Sequence, residues 1–285
     1  MNPIKLKENS GLSHVWAETT LNAFAKPDQH MDRLCDLSAR EQWRLSDMDW
    51  ESIDLSPIPR KIRQAAADMF TQIHYGEVTA LLGAARMVEV SPTTSIRLFS
   101  SMQVDDEARH VQWFSTLMQK LDCRSEVLPS VAELMNEVFE CDTLEELVVG
   151  VHILVEGMAH SFFMEGARAS ANLGVISQFF LGPYKPVKTI FAQWLPNFLG
   201  KDESRHLAFG VHFLSERIKN FTPAQRNLLE SKIVRWGELL TVAVQDPKLL
   251  AVPNLDSVAI RNRCINNINL RLAKIGFEAR IPTQS

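Results

Sequence analysis

One pentapeptide pattern occurs twice in this chain and constrains its fold more than any other feature. Asp106-Glu107-Ala108-Arg109-His110 returns as Asp202-Glu203-Ser204-Arg205-His206. On a helix, a Glu and a His three positions apart project about 60° from one another, so a carboxylate and an imidazole reach the same point. Two such pairs, each facing a further helix that offers one inward carboxylate, build a two-metal site inside a four-helix bundle. A single Glu-x-x-His is ordinary on a solvated helix face. Two copies, each preceded by a helix with a Glu at matching height, are a different matter.

The rest of the chain reads as helices suited to that arrangement. Ser56-Pro57-Ile58-Pro59 is a breaker, and from there to Val90 apolar residues recur at helical spacing, as in Ala67, Phe70, Ile73, Leu81, Leu82 and Ala85. Ser91-Pro92 ends that helix, and Thr93 to Leu121 forms the next, carrying the first motif. A short helix from Leu128 to Phe139 precedes a long one that starts at Thr143 as N-cap and runs to about Ala171. Asn172-Leu173-Gly174 reads as its C-cap, followed by a short apolar helix from Val175 to Leu181. The helix after Pro186 runs to about Asn220 with the second motif, kinked or divided at Pro196. Thr222 to Gln245 and Leu255 to Phe277 are two more amphipathic helices, separated by a turn from Pro247 to Pro253. Strand-like alternation is nearly absent.

The expected fold class is therefore all-α: one domain over 1–285, with an N-terminal arm (1–55), a metal-binding bundle (57–220) and additional C-terminal helices (221–285). Trp16, Leu21, Phe24, Trp43 and Trp50 are read as anchors of the arm, and Trp43, Trp50, Trp194 and Trp236 as packing residues.

Composition narrows the function classes. A hydrophobic content of 46% allows a sizeable core, and a net charge of −4 gives no electrostatic case for nucleic acid or an anionic membrane. The cysteines Cys35, Cys123, Cys141 and Cys264 are scattered, which suits reduced thiols better than disulfides or a zinc site. Met1 to Val15 lacks the apolar stretch of a signal peptide, and no uncharged apolar run approaches the ~20 residues of a membrane helix. The expected location is cytoplasmic.

The missing carboxylates follow from folding back at the turns. Glu77 lies 14 residues before Ser91 and Glu107 lies 15 after Pro92, so both stand at the same height in an antiparallel pair. Glu156 lies 16 residues before Asn172 and Glu203 lies 17 after Pro186, again nearly level. Glu165 is the competing choice, but nine residues turn a helix by about 900°, placing it opposite Glu156. Glu156 is favoured for its more apolar surroundings.

These residues carry a specific resemblance. Residues 60–220 resemble the ribonucleotide-reductase-like branch of the ferritin superfamily, and the phrase from Lys201 to Leu214 is especially similar to the corresponding helix there. The resemblance implies a ferritin-like four-helix core in which Glu77, Glu107, His110, Glu156, Glu203 and His206 hold two metal ions and form the catalytic site. It implies that Asp106 and Asp202 lie behind the ligands, each holding the His of the opposite pair, and that Arg109 and Arg205 pair with buried acids. Four carboxylates and two imidazoles suit iron, as Fe/Fe or Mn/Fe.

His152 and His160 flank Glu156 by one turn on either side, and each reads either as a hydrogen-bonded core histidine or as an extra ligand or substrate contact. His74 has the same ambiguity, and Tyr75 is a weaker candidate for a cavity-lining aromatic than Phe114 or Trp113. Phe114, one turn after His110, and Trp113 beside it read as cavity lining or as core. A reductase small subunit usually has a Tyr one turn beyond its first His and another near its C-terminus; Phe114 and a Tyr-free tail depart from that pattern. Amine N-oxygenases of the group often add a His one turn before the second motif, where this chain has Leu199.

The expectation is a di-iron oxidase or monooxygenase that uses O2 for hydroxylation or N-oxygenation of a small organic substrate, as in secondary metabolism. Its electrons would come from an external reductase or ferredoxin. The oligomeric state is open from sequence: reductase-like folds often form a homodimer through the long helices, and the apolar Leu239 to Val244 stretch could serve as one surface. The alternatives are a reductase-small-subunit-like protein, a ligand-binding oxidase and a non-catalytic iron-binding protein.

Overall fold

The structure, a computed structural model, describes residues 3–6, 28–172, 186, 189–249 and 257–283. Trp16, Leu21, Phe24, Leu173-Gly174 and the short helix expected from Val175 to Leu181 lie outside the described residues. Among the described residues there is no strand, only an isolated bridge between Lys5 and Thr143.

Helix α1 (Gln29–Arg40) starts at Asp28, whose carboxylate accepts from the backbone N–H groups of His30 and Met31. Two 3-10 turns, Leu45–Asp47 and Trp50–Ser52, lead to α2 (Arg60–Val90), which begins directly after Pro59. α3 (Thr94–Leu121) is capped by Thr93 and ends at Asp122, in the left-handed conformation with φ 48°. α2 and α3 fold back at Ser91-Pro92 and pack along their length. Arg97 clasps the turn by donating to the carbonyls of Val88 and Ser91.

α4 (Pro129–Phe139) leads to α5 (Leu144–Val148), capped by Thr143 as expected. The helix from Thr143 is not regular, however. A π-helical segment, π1 (Val149–Val155), separates α5 from α6 (Glu156–Asn172), so Glu156 opens α6 directly after a widened turn. Within π1, a Cβ on Gly150 would stand 2.5 Å from Val138 Cγ1, so α4 presses against bare backbone. A second π-helical segment, π2 (Ile190–Leu199), contains Pro196 and runs without a break into α7 (Gly200–Ile218). Pro196 thus does not divide the helix. Its missing N–H falls where the i→i−4 ladder is already given up.

α8 (Pro223–Val244) packs on α4, where Arg235 reaches Glu133 and Glu137, and α9 (Ser257–Ile275) packs on α6 and α7. The core layer is thus α2, α3, α5–π1–α6 and π2–α7. Its buried apolar side chains fall into two large clusters, one around Phe99, Phe209, Trp236 and Ile268, the other around Phe70, Trp113, Phe114 and Trp194. The helical run Leu144–Arg168 is long and apolar enough by composition to cross a membrane, but 72% of its most apolar window is buried inside the protein. Leu239, Leu240 and Ala243, part of the stretch read as a dimer surface, are buried within the chain itself.

Candidate metal centre

The six carboxylate and imidazole residues of the duplicated motif and its partners converge at the middle of the bundle, all buried. Glu77 (α2), Glu107 and His110 (α3) and Glu203 (α7) bring one donor atom each to within 4.8 Å of one another. Glu107, Glu156 (α6) and His206 (α7) form a second such group, so Glu107 belongs to both.

The imidazoles set the polarity of the site. His110 Nδ1 faces inward, 3.2 Å from Glu77 Oε2, 3.3 Å from Glu107 Oε2 and 3.4 Å from Glu203 Oε1. His206 Nδ1 also faces inward, 3.2 Å from Glu107 Oε1. Each Nε2 points away from the centre and crosses to the opposite motif: His110 to Asp202 Oδ2 and His206 to Asp106 Oδ2, both at 3.2 Å. With a carboxylate behind it, each ring can donate from Nε2 and keep Nδ1 free for an ion.

The two aspartates are tied down in turn. Asp106 pairs with Arg109 and accepts from Ser38 Oγ at 3.3 Å; Asp202 pairs with Arg205 and accepts from Trp43 Nε1 at 2.8 Å. Arg205 also reaches Glu41 at 2.9 Å, and the Arg109 guanidinium lies 5.4 Å over the Trp43 ring. Trp43 is therefore more than the packing residue read from the sequence: it closes a hydrogen-bonded line Trp43–Asp202–His110. Ser38, Glu41 and Trp43 sit in the arm, and no sequence signal marks them. Gln103 was also missed, though its place one turn before Glu107 on the same face offered a signal. Its Nε2 lies 2.7 Å from Glu156 Oε1 and its Oε1 lies 3.0 Å from His152 Nε2.

The remaining candidates stand elsewhere. His152 bonds to Gln103 and is in neither donor group. Burial and the nearby His206 push its pKa down to about 3, so its ring is neutral. His160 meets Arg271 at 3.4 Å and His74 meets Ser115 at 3.3 Å. Glu165 is buried between Arg168 and Arg263, away from the cluster. Phe114 is packed among Trp113, Phe70 and Phe163.

The electrostatics show a site that wants cations. Burial pushes the Glu77 carboxyl up to about 8 against the pull of His110, and burial holds Glu156 well above the usual carboxylate range. Burial also opposes ionisation of Glu107, but hydrogen bonds from His110 and His206 hold its carboxyl well below that range. For His110, burial is outweighed by Glu77 and by hydrogen bonds to Asp202, Glu107 and Glu203, so its pKa lies well above normal. His206 is raised in the same way by Glu156, Asp106, Glu107 and Glu203. Glu77 Oε1, Glu156 Oε2, Glu203 Oε2 and His206 Nδ1 have no well-formed hydrogen bond, although all are buried. Orphaned donor atoms of one kind, turned toward one another, fit metal ions better than any internal partner.

A cavity of about 130 Å³ adjoins the cluster. Glu77, Glu156 and Glu203 form part of its wall, and the rest is mainly apolar, including Met69, Ile73, Leu134, Met135, Met158, Phe162 and Leu240. Phe114 is not among the lining residues, so of the two readings open for it the structure takes the core.

No protein-family model and no curated protein sequence matches the chain. Solved structures do. A variant of an R2-like ligand-binding oxidase with aerobically reconstituted Mn/Fe cofactor is 19% identical, covers 90% of this chain and 97% of that one, and superposes with a TM-score of 0.67. The R2-like ligand-binding oxidase with aerobically reconstituted Mn/Fe cofactor after a long soak is 19% identical, with a TM-score of 0.59 over 87% of this chain and 93% of that one. At this identity the likeness shows a shared fold, a ferritin-like helical fold.

Proposed function

We propose that this chain is a dinuclear-metal oxidase that uses O2 on a small, largely apolar organic substrate. The observation that carries it is one juxtaposition: three carboxylates of a buried six-residue donor set form part of the wall of an apolar cavity. A storage or purely structural role has no use for that cavity. The oxidase and Mn/Fe descriptions of the structural neighbours support the same reading.

In this reading Glu77, His110, Glu107 and Glu203 would hold one ion, and Glu156, His206, Glu107 and Glu203 the other. Two divalent iron ions, or a Mn/Fe pair, supply the redox chemistry with O2 when bound. The chain's own residues do the rest. Asp202 and Asp106 keep each imidazole in the tautomer that leaves Nδ1 bare. Arg109 and Arg205 neutralise those aspartates, so the negative charge available to the ions is that of the four glutamates. The apolar wall excludes water and presents a substrate's C–H bonds to the carboxylate face.

Hydroxylation or a related two-electron oxidation suits this site better than N-oxygenation. Leu199 is a buried apolar residue where a further His would stand, while His152 and His160 are engaged with Gln103 and Arg271. Electrons come from an external donor protein or from the substrate itself.

The test is Mössbauer spectroscopy on anaerobically iron-loaded protein before and after O2. Two irons per chain that convert to a coupled diferric pair are expected. One iron, or none, would sink the proposal.

A further inference from the structure

The second metal position is built differently from the first. Gln103 is fully buried in α3, one turn before Glu107. Its Nε2 lies 2.7 Å from Glu156 Oε1 and 3.3 Å from Glu107 Oε1, and its Oε1 lies 3.0 Å from His152 Nε2. Glu107, held ionised by His110 and His206, only accepts hydrogen bonds, so the end of the amide that faces it and Glu156 is the NH2. The opposite end is then the carbonyl oxygen, and His152 must donate to it from Nε2. The carboxylates thus fix the orientation of the Gln103 amide, and the amide fixes the tautomer of His152.

His152 sits where its helix closely approaches α7. A Cβ built on Gly210 would stand 2.7 Å from His152 Cβ, and the Phe209 ring centroid lies 5.0 Å from its own. The effect reaches Glu156: Oε1 is bonded to the amide, while Oε2 has no partner. Among the described residues the first position has no such device. Glu77 is approached by His110, and its Oε1 is without a partner.

We propose that Gln103, held in place by His152, is a positioning residue that holds the Glu156 carboxylate for the second metal position, leaving Glu156 Oε2 as its free donor atom. This rests on the two-metal reading above. The first position lacks an equivalent clamp, so the two positions differ in stiffness. Loss of the amide weakens one of them selectively.

The experiment is a Mn(II) titration of metal-free full-length protein, followed by the EPR signal of unbound Mn(II), for the wild type, Gln103→Leu, Gln103→Met, His152→Leu and His152→Gln. Circular dichroism accompanies each variant, and Gln103→Met, closer in shape, serves if Gln103→Leu loses helix. Two binding steps are expected for the wild type. The Gln103 variants should weaken one step about tenfold or more and leave the other within about twofold. His152→Leu should move the same step in the same direction, and His152→Gln, which keeps a donor, should restore it.

Wild-type-like binding in a folded Gln103 variant would overturn the inference. So would equal weakening of both steps, which is what loss of core packing predicts, or failure of His152→Gln to improve on His152→Leu. Fewer than two Mn(II) ions bound by the wild type would instead bring down the two-metal reading, and this inference with it.

Discussion

Metal loading should expel protons in a number that the site itself sets. Four ionised glutamates around two neutral imidazoles would bury four uncompensated negative charges, which a desolvated site does not tolerate. Neutrality without metal therefore takes about four protons spread over the six groups. Four of those groups are pushed toward keeping one: Glu77 up to about 8, and Glu156, His110 and His206 well above their ordinary values. Two divalent ions bring the same four positive charges, so loading at pH 7 should release about four protons per chain. The sign is the same for all four groups. A raised pKa keeps the proton on at neutral pH, so protons compete with metal there, and the share of Glu77 in that competition fades as pH rises past about 8. Below that range the overall two-ion constant should climb about 10,000-fold per pH unit.

By the same sign, the metal-free protein gains stability from Glu77 in acid. It loses that gain as pH rises from the ordinary Glu value of 4.5 through about 8. The assay is calorimetric titration with Mn(II) at pH 7 in buffers of different ionisation enthalpy, which counts protons directly. Release of one proton or none, or an affinity that does not change with pH, would refute the reasoning that protons stand in for the ions.

Two further outcomes follow from side chains outside the donor set. Trp43→Phe removes the donor to Asp202 in a fully buried network. A lost hydrogen bond to a charged acceptor should cost about 2 kcal/mol, read as a drop of about 5 °C in the Tm of the metal-free protein; an unchanged Tm would mean that Asp202 is satisfied without it. Phe114→Ala should cost about 3–5 kcal/mol in denaturant unfolding, because a fully buried ring leaves a cavity. It should leave the pattern of accepted substrates as it is, and a changed pattern without lost stability would return Phe114 to the cavity wall.

Much of the frame was legible because it rests on arithmetic. Glu77 and Glu107 share a height since the turn at Ser91-Pro92 fixes where α2 folds onto α3, and 3.6-residue periodicity separates Glu156 from Glu165. The π segments were not legible: Val149–Val155 is an apolar run whose composition suits any buried helix, and only packing against α4 and α7 distinguishes its winding. Trp43 was read as packing because its role depends on a contact 159 residues away, with Asp202, that no local spacing encodes. Gln103 was overlooked for a different reason. A neutral amide does not stand out beside charged ligands, although charged groups in a dry interior need neutral donors to fix them.

The arm has a consequence for how this centre is insulated. Every candidate ligand lies between Glu77 and His206, so a chain beginning at Pro57 would keep the whole donor set. It would lose Ser38, Glu41 and Trp43, which cap the outer ends of Asp106, Arg205 and Asp202. Water would reach those charged groups, and the aspartate–imidazole bonds behind the donors would be screened as they are at a protein surface. The bundle supplies the wiring of the centre, and the segment from Ser38 to Trp43 supplies its dielectric jacket.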